Sequence, residues 1–208
     1  MPELLEILKP KLQQTGFKNM PIIEGALDDM QVFLSPSLLA IKNKIVLDIG
    51  GSCFAHLKCA LEVPRLYRRT NKEIPKKPSS YVDNALKPLF YLQNQCKNIL
   101  KQSIREELLI RALCICTPKY YDTLSDVLSS LKKMEESLKR LKQARKTAAS
   151  SVTNRGNSDD HKIRLQLALD VDFFSNQVQN LGLRKDEIES FQALTDLVYT
   201  AKEQAIAE

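Results

Sequence analysis

The chain has 208 residues, a net charge of +6, five cysteines, six glycines and no tryptophan, and aromatic residues make up only 6% of it. That length allows one or two domains with a core that needs no disulfide or metal staple. The shortage of glycine and aromatic residues speaks against a sandwich, a barrel or a dinucleotide-binding sheet, and for packed helices.

In chain order, Leu4, Leu5, Leu8 and Leu12 recur at helical spacing, with Pro10 expected to kink the helix and Gly16 to stop it. Ile23, Leu27, Met30 and Leu34 repeat the pattern, and Ser35-Pro36 reads as the cap and first turn of a new helix reaching about residue 62. A bend is expected in it at Gly50-Gly51. The run IVLDIGGS there imitates a strand entering a phosphate loop, but it lacks the third glycine of a dinucleotide fingerprint and the Gly-Lys-Ser/Thr of a P-loop. Residues 63–80 hold three prolines and read as a connector outside the core. Ser80 with Asp83 predicts a capping box for a helix running to about residue 113, kinked at Pro88. Thr117-Pro118 is then expected to open the organising helix, residues 120–146, whose Tyr120, Leu124, Val127, Leu131, Met134, Leu138 and Leu141 form one apolar seam. Glu135 with Lys139 and Glu136 with Arg140 sit at i,i+4 in the favourable order.

Residues 147–160 are small and polar and read as a mobile linker, with Ser158-Asp159-Asp160 capping the next helix. Ile163, Leu167, Val171, Phe174, Val178 and Leu181 form its buried face, broadened by Leu165, Leu169 and Phe173, so it belongs against two neighbours. Gly182 is its terminator, and a last helix spans 186–205. The expected division is therefore N-terminal helices at 1–62, a basic proline-rich connector at 63–80, long helices at 81–146, a linker at 147–160 and a helical hairpin at 161–208. The fold class is all-α, an elongated multi-helix bundle or rod.

Cys53, Cys59, Cys96, Cys114 and Cys116 share no spacing, which suits small apolar filler in a reducing compartment better than a disulfide framework. No apolar run approaches the roughly 18 residues of a membrane span. The opening MPELLEILKP has no cationic lead, unlike a signal peptide. His56 and His161 have no partner at metal-ligand spacing, and Cys114-x-Cys116 is not a zinc knuckle. A cysteine nucleophile at Cys53 or Cys59 would have only His56 as base. Asp28-Asp29, Glu106-Glu107 and Asp159-Asp160 are adjacent pairs that point about 100° apart on a helix, so they do not share a site. No catalytic residue, metal site or cofactor is expected, and the chain reads as a non-enzyme.

What stands out is charge. Arg65, Arg68, Arg69, Lys72, Lys76 and Lys77 face one glutamate in the connector, and Lys132, Lys133, Lys139, Arg140, Lys142, Arg145 and Lys146 face two on the long helix. Two basic islands on a mildly acidic body form the candidate interaction surface, for an acidic protein face or, as the alternative, anionic membrane lipid or RNA. Nucleic acid is the weaker alternative, because single-strand readers interleave aromatics and these islands offer only Tyr67.

Four stretches carry a resemblance: EVPRLYRRTNKEIP at 62–75, SYVDNALKPL at 80–89, KKMEESLKRLKQARK at 132–146 and IRLQLALDV at 163–171. In this order they resemble the C-terminal region of subunit 2 of the conserved oligomeric Golgi complex, from about residue 36 to the end. The resemblance implies a helical rod of the multisubunit tethering-complex type. It would be peripheral on the cytosolic face of the Golgi membrane and help capture vesicles in intra-Golgi retrograde transport. Implied partners are subunits one, three and four of the same complex, with fusion-machinery helices and small GTPases as further contacts. The family's subunit is several times longer, with an N-terminal coiled coil, so the chain is expected to be a fragment or short product.

Overall fold

The computed structural model describes residues 2–16, 18–68, 70–145 and 155–207, with side chains over 6–16, 18–68, 70–141 and 159–204. Among the described residues every regular element is helical: α1 (Pro2–Gln14), α2 (Met20–Leu57), α3 (Val63–Tyr67), α4 (Ser80–Gln95), α5 (Gln102–Arg145), α6 (Arg155–Asn180) and α7 (Phe191–Ala207). Two 3₁₀ turns, Lys58–Glu62 and Lys185–Glu187, precede α3 and α7. The all-α expectation holds.

Two compact units divide the chain, Met1–Ile45 and Val46–Glu208. In the first, Lys9 of α1 lies 3.7 Å from Glu24 of α2, and Gly16 leaves α1 with a left-handed φ of 76°. None of its described side chains from residue 6 onward is buried. Val32 and Phe33 are exposed, as are Leu34, Leu38, Leu39 and Ile41.

In the second unit, α6 packs along α7 and also meets α3, α4 and α5, while α5 carries α7 and the first 3₁₀ turn. The wide stripe on α6 is what permits this: Ile163, Leu167, Val171, Phe174, Val178 and Leu181 are all buried, and Leu165, Leu169 and Phe173 are half-buried. Phe174 joins three helices, 5.8 Å from the Tyr120 ring edge-on and 5.9 Å from Phe191 in a stack. Gly182, at φ 78°, ends α6 as expected.

Several predicted joints fall elsewhere. Pro36 and Pro118 sit inside continuous helices and open none. A proline removes one backbone hydrogen bond, but a new helix needs a costly nucleus, and around Pro118 the buried Leu113, Cys116 and Tyr120 favour continuation. Gly50 causes no break either. It sits where α2 crosses the backbone of α5, and a Cβ there would lie 2.9 Å from the Ala112 carbonyl oxygen and 2.9 Å from Ile115 Cβ. The helix predicted to run from 80 to 113 is instead two, α4 and α5, separated by the largely exposed segment 96–101. The Arg105 guanidinium donates to the Gln93 carbonyl across this break, at 3.2 Å. The capping box is replaced by Ser79 at the cap, its side chain turned toward α6.

The connector is also corrected in part. Val63–Tyr67 is helical, and Val63 and Tyr67 are buried, because Pro64 suits a helix start and Tyr67 has a polar partner inside. Of the expected linker, 147–154 lies outside the described residues, and 155–160 belongs to α6, where Asp160 is a buried helical residue and not a cap. Asp186, the expected start of the last helix, lies in the second 3₁₀ turn.

Candidate interaction surface

Gln166 and Asp170 lie one turn apart on the same face of α6 and are both buried. Asp170 Oδ1 accepts from the Ser79 backbone N–H at 2.6 Å and from Gln166 Nε2 at 2.8 Å. Its Oδ2 accepts from Ser79 Oγ at 2.9 Å and from the Tyr81 hydroxyl at 2.8 Å. Burial pushes this carboxyl above the usual carboxylate range, and the bonds from Ser79, Tyr81 and Gln166 pull it back. Gln166 also donates to the Lys77 carbonyl at 2.9 Å and accepts from the Tyr67 hydroxyl at 2.6 Å. Tyr120 of α5 lies 3.1 Å from the Tyr81 oxygen, and with the Tyr81 proton committed to Asp170 the Tyr120 hydroxyl is the donor.

This network holds both ends of the 67–81 segment against α6. It draws on three of the four stretches that carry the resemblance, and the fourth joins through Arg164, whose Nη2 lies 2.7 Å from Glu135 of α5. Sequence reasoning missed the network. Its one available signal was a glutamine and an aspartate at i,i+4 inside the apolar stripe of α6.

The first basic island rides on the segment this network anchors, and its side chains divide between ion pairs and open surface. Arg65 pairs with Glu62 at 2.9 Å, and Arg68 reaches Asp160 at 3.8 Å. Lys72 stands 5.9 Å over the Tyr67 ring. Lys76 and Lys77 are exposed, and Arg69 lies outside the described residues. Tyr67, the only aromatic offered for base stacking, is buried and hydrogen-bonded. Asp160 sits between the islands. Burial raises its pKa to about 6, the Arg68 and Arg164 charges pull it down, and Glu135 and Asp159 push it up.

The second island faces outward. Lys132, Lys133, Lys139 and Arg140 are exposed, whereas the side chains of Lys142 and Arg145, and Lys146 altogether, lie outside the described residues. Lys132, Lys133 and Arg140 have no ion-pair partner among the described residues, so the expected Glu136–Arg140 pair is not made. The seam beneath them loses its cover along the helix. Leu124 and Leu131 are fully buried, but Met134 is 39% exposed, Leu138 43% and Leu141 55%.

The residues weighed for catalysis do not assemble. Cys53 is buried against Cys116, whose hydrogen bond and the surrounding burial drive the Cys53 thiol far above its ordinary value, away from thiolate. Cys59 and His56 are exposed. Cys114 meets the loop before α7, accepting from the Glu189 N–H at 3.4 Å, while Cys116 turns inward. Among the described residues no group of three or more histidine, cysteine or acidic side chains is placed to hold a metal. No described helix is long and apolar enough to cross a membrane.

A family model described as "COG complex component, COG2, C-terminal" matches residues 1–171. A Homo sapiens protein named conserved oligomeric Golgi complex subunit 2 is 58% identical over 210 residues, covering 100% of this chain and 28% of that protein. Its namesake from Drosophila melanogaster is 31% identical over 203 residues, covering 91% of this chain and 29% of the relative. The Arabidopsis thaliana namesake is 29% identical over 198 residues, covering 93% and 26%. The chain thus spans between 26% and 29% of the length of these relatives. No solved structure matches it.

Proposed function

We propose a function from one premise: the chain belongs to the COG2 C-terminal family of COG complex components. It serves as the C-terminal leg of a Golgi vesicle-tethering complex, supporting intra-Golgi retrograde transport and Golgi organisation through protein–protein contacts and without catalysis. The observation that carries this reading is the match of the whole chain, at 58% identity, to a human protein named as a subunit of that complex. The fold supports it: the buried polar groups Gln166 and Asp170 are engaged in holding helices together.

On this reading the chain is peripheral on the cytosolic face of the Golgi membrane, and subunits one, three and four of the same complex are its partners. Fusion-machinery helices and small GTPases are further contacts. Of the candidate surface, we assign the outward island, with Lys132, Lys133, Lys139 and Arg140 at its centre, to partner contact. Arg65 and Arg68 we assign to internal order.

The test is affinity purification of the tagged chain from cells, with mass spectrometry of what comes with it, beside a version joined to the N-terminal part of the human relative. Recovery of complex subunits with either version supports the assignment. Recovery of none with both, from cells whose complex is intact, overturns it.

A further inference from the structure

In the first unit, Ile23, Leu27, Met30, Leu34, Leu38 and Ile41 of α2 recur every third or fourth position and share one face. Helical spacing puts Glu24, Asp28, Asp29, Lys42 and Lys44 outside that stripe. α1 covers only its beginning: Leu8 and Leu12 are half-buried, as are Met20, Ile23 and Leu27. From residue 28 to residue 41 every side chain is exposed, and the opposite side of the helix adds exposed Val32 and Leu39. The two helices are joined by the turn at Gly16 and tied by Lys9 and Glu24 at 3.7 Å, so they run antiparallel. At equal rise per residue Pro2 then lies level with about residue 31. The open end of α1 thus stops near the start of the exposed stretch.

We propose that Met30, Leu34, Leu38 and Ile41 seat a helix that continues α1 backwards, contributed by the part of the longer relatives that precedes the matched region. A helix with apolar residues on both its faces is a buried element, not a surface one. The relatives supply the occupant. The matching family model is that of a C-terminal region, and the chain spans between 26% and 29% of the relatives' length. Most of each relative therefore precedes the match and runs into it from the α1 side. α1 already occupies the first turns of the stripe, so a helix arriving from its open end meets the remainder without crossing any other element of the unit. Because the stripe carries no charge, the face that sits on it is apolar, with side chains spaced at i, i+3, i+4 and i+7. The proposal rests on family membership and not on the tethering role.

The test compares the purified chain with a version extended at its N-terminus by the segment of the human relative that immediately precedes the match. A segment of about 40 residues is ample, at helical rise, to span the exposed stretch. Amide hydrogen exchange is followed by mass spectrometry. In the extended chain, exchange over residues 28–41 should slow about tenfold or more, while residues 46–204 exchange as before. A scrambled extension of the same composition should give no slowing. Leu34→Asp combined with Leu38→Asp should restore the fast rate in the extended chain, and Val32→Asp, on the opposite side, should not. No slowing with the natural extension, equal slowing with the scrambled one, or equal loss with Val32→Asp would overturn the proposal. So would protection in the unextended chain that is lost on dilution, which assigns the stripe to a second copy. Slowing seen only when phosphatidylserine vesicles are added would overturn it too, by assigning the stripe to membrane. The readout involves no other subunit, so failure to recover complex subunits would sink the tethering assignment and leave this contact standing.

Discussion

The two basic islands look alike in composition and differ in what their charges meet. In the first, Arg65 and Arg68 each have an acidic partner, and the segment around them is bound to α6 through Tyr67, Lys77 and Ser79. In the second, Lys132, Lys133 and Arg140 have no ion-pair partner among the described residues. The lesson is that a run of positive charge does not say whether it is part of the architecture or part of the exterior. The acceptors within reach decide that, here Glu62 three residues before Arg65 and, for Arg68, Asp160 on a helix nearly a hundred residues downstream.

The contrast predicts that substitutions near the first island act on stability and those in the second on binding. The largest effect should come from Asp170→Ala, which strips the acceptor from the Ser79, Tyr81 and Gln166 donors at once. A loss of roughly 3–5 kcal/mol is expected, read as a lower urea midpoint. Gln166→Glu keeps the shape but removes two donors and sets a carboxylate beside that of Asp170. It should cost about 2–3 kcal/mol at pH 7, and less as the pH is lowered and the carboxyls take up protons.

Arg68→Ala should cost on the order of 1 kcal/mol, since the pair is only partly screened from water. Asp160 gives this region a pH signature of a definite sign. With its pKa raised to about 6, the folded chain holds that proton more firmly than the unfolded one. Its contribution to stability is therefore full in acid, below the ordinary carboxylate value, and is lost as pH rises to about 6. Asp170 is shifted in the same direction. Urea midpoints measured at a series of pH values should fall over that window, and Asp160→Asn should flatten the fall. Smallest of all, K132E/K133E/R140E should each change stability by about half a kcal/mol or less, as exposed positions do. A large stability loss from that triple variant, or none from Asp170→Ala, would break the contrast.

Which of these features could be read from sequence follows from how local each one is. The seams of α5 and α6 could be read, because spacing along a single helix fixes them, and so could the stops at Gly16 and Gly182. The joints at Pro36 and Pro118 could not. At Pro118 burial by distant residues favours continuation; at Pro36, where the neighbouring side chains are exposed, one lost hydrogen bond still costs less than nucleating a new helix. The anchoring of the backbone that carries the first island was hidden, like the burial at Pro118, because its partners are distant: Gln166 and Asp170 hold Tyr67, the Lys77 carbonyl and Ser79, and nothing near residues 65–77 announces them. The Ser80/Asp83 cap misled because Ser79 had a better acceptor on another helix.

Gly50 fixes where the Val46–Leu57 part of α2 can sit. It lies bare against the carbonyl of Ala112 and the side chain of Ile115, so sliding that segment by one turn would drive Val46 or Phe54 into the α5 backbone. Slippage is blocked by the absence of a single carbon. A tug along this segment is therefore handed on to α5 and to the helices packed upon it, as a rope made fast to a cleat passes its load to the deck.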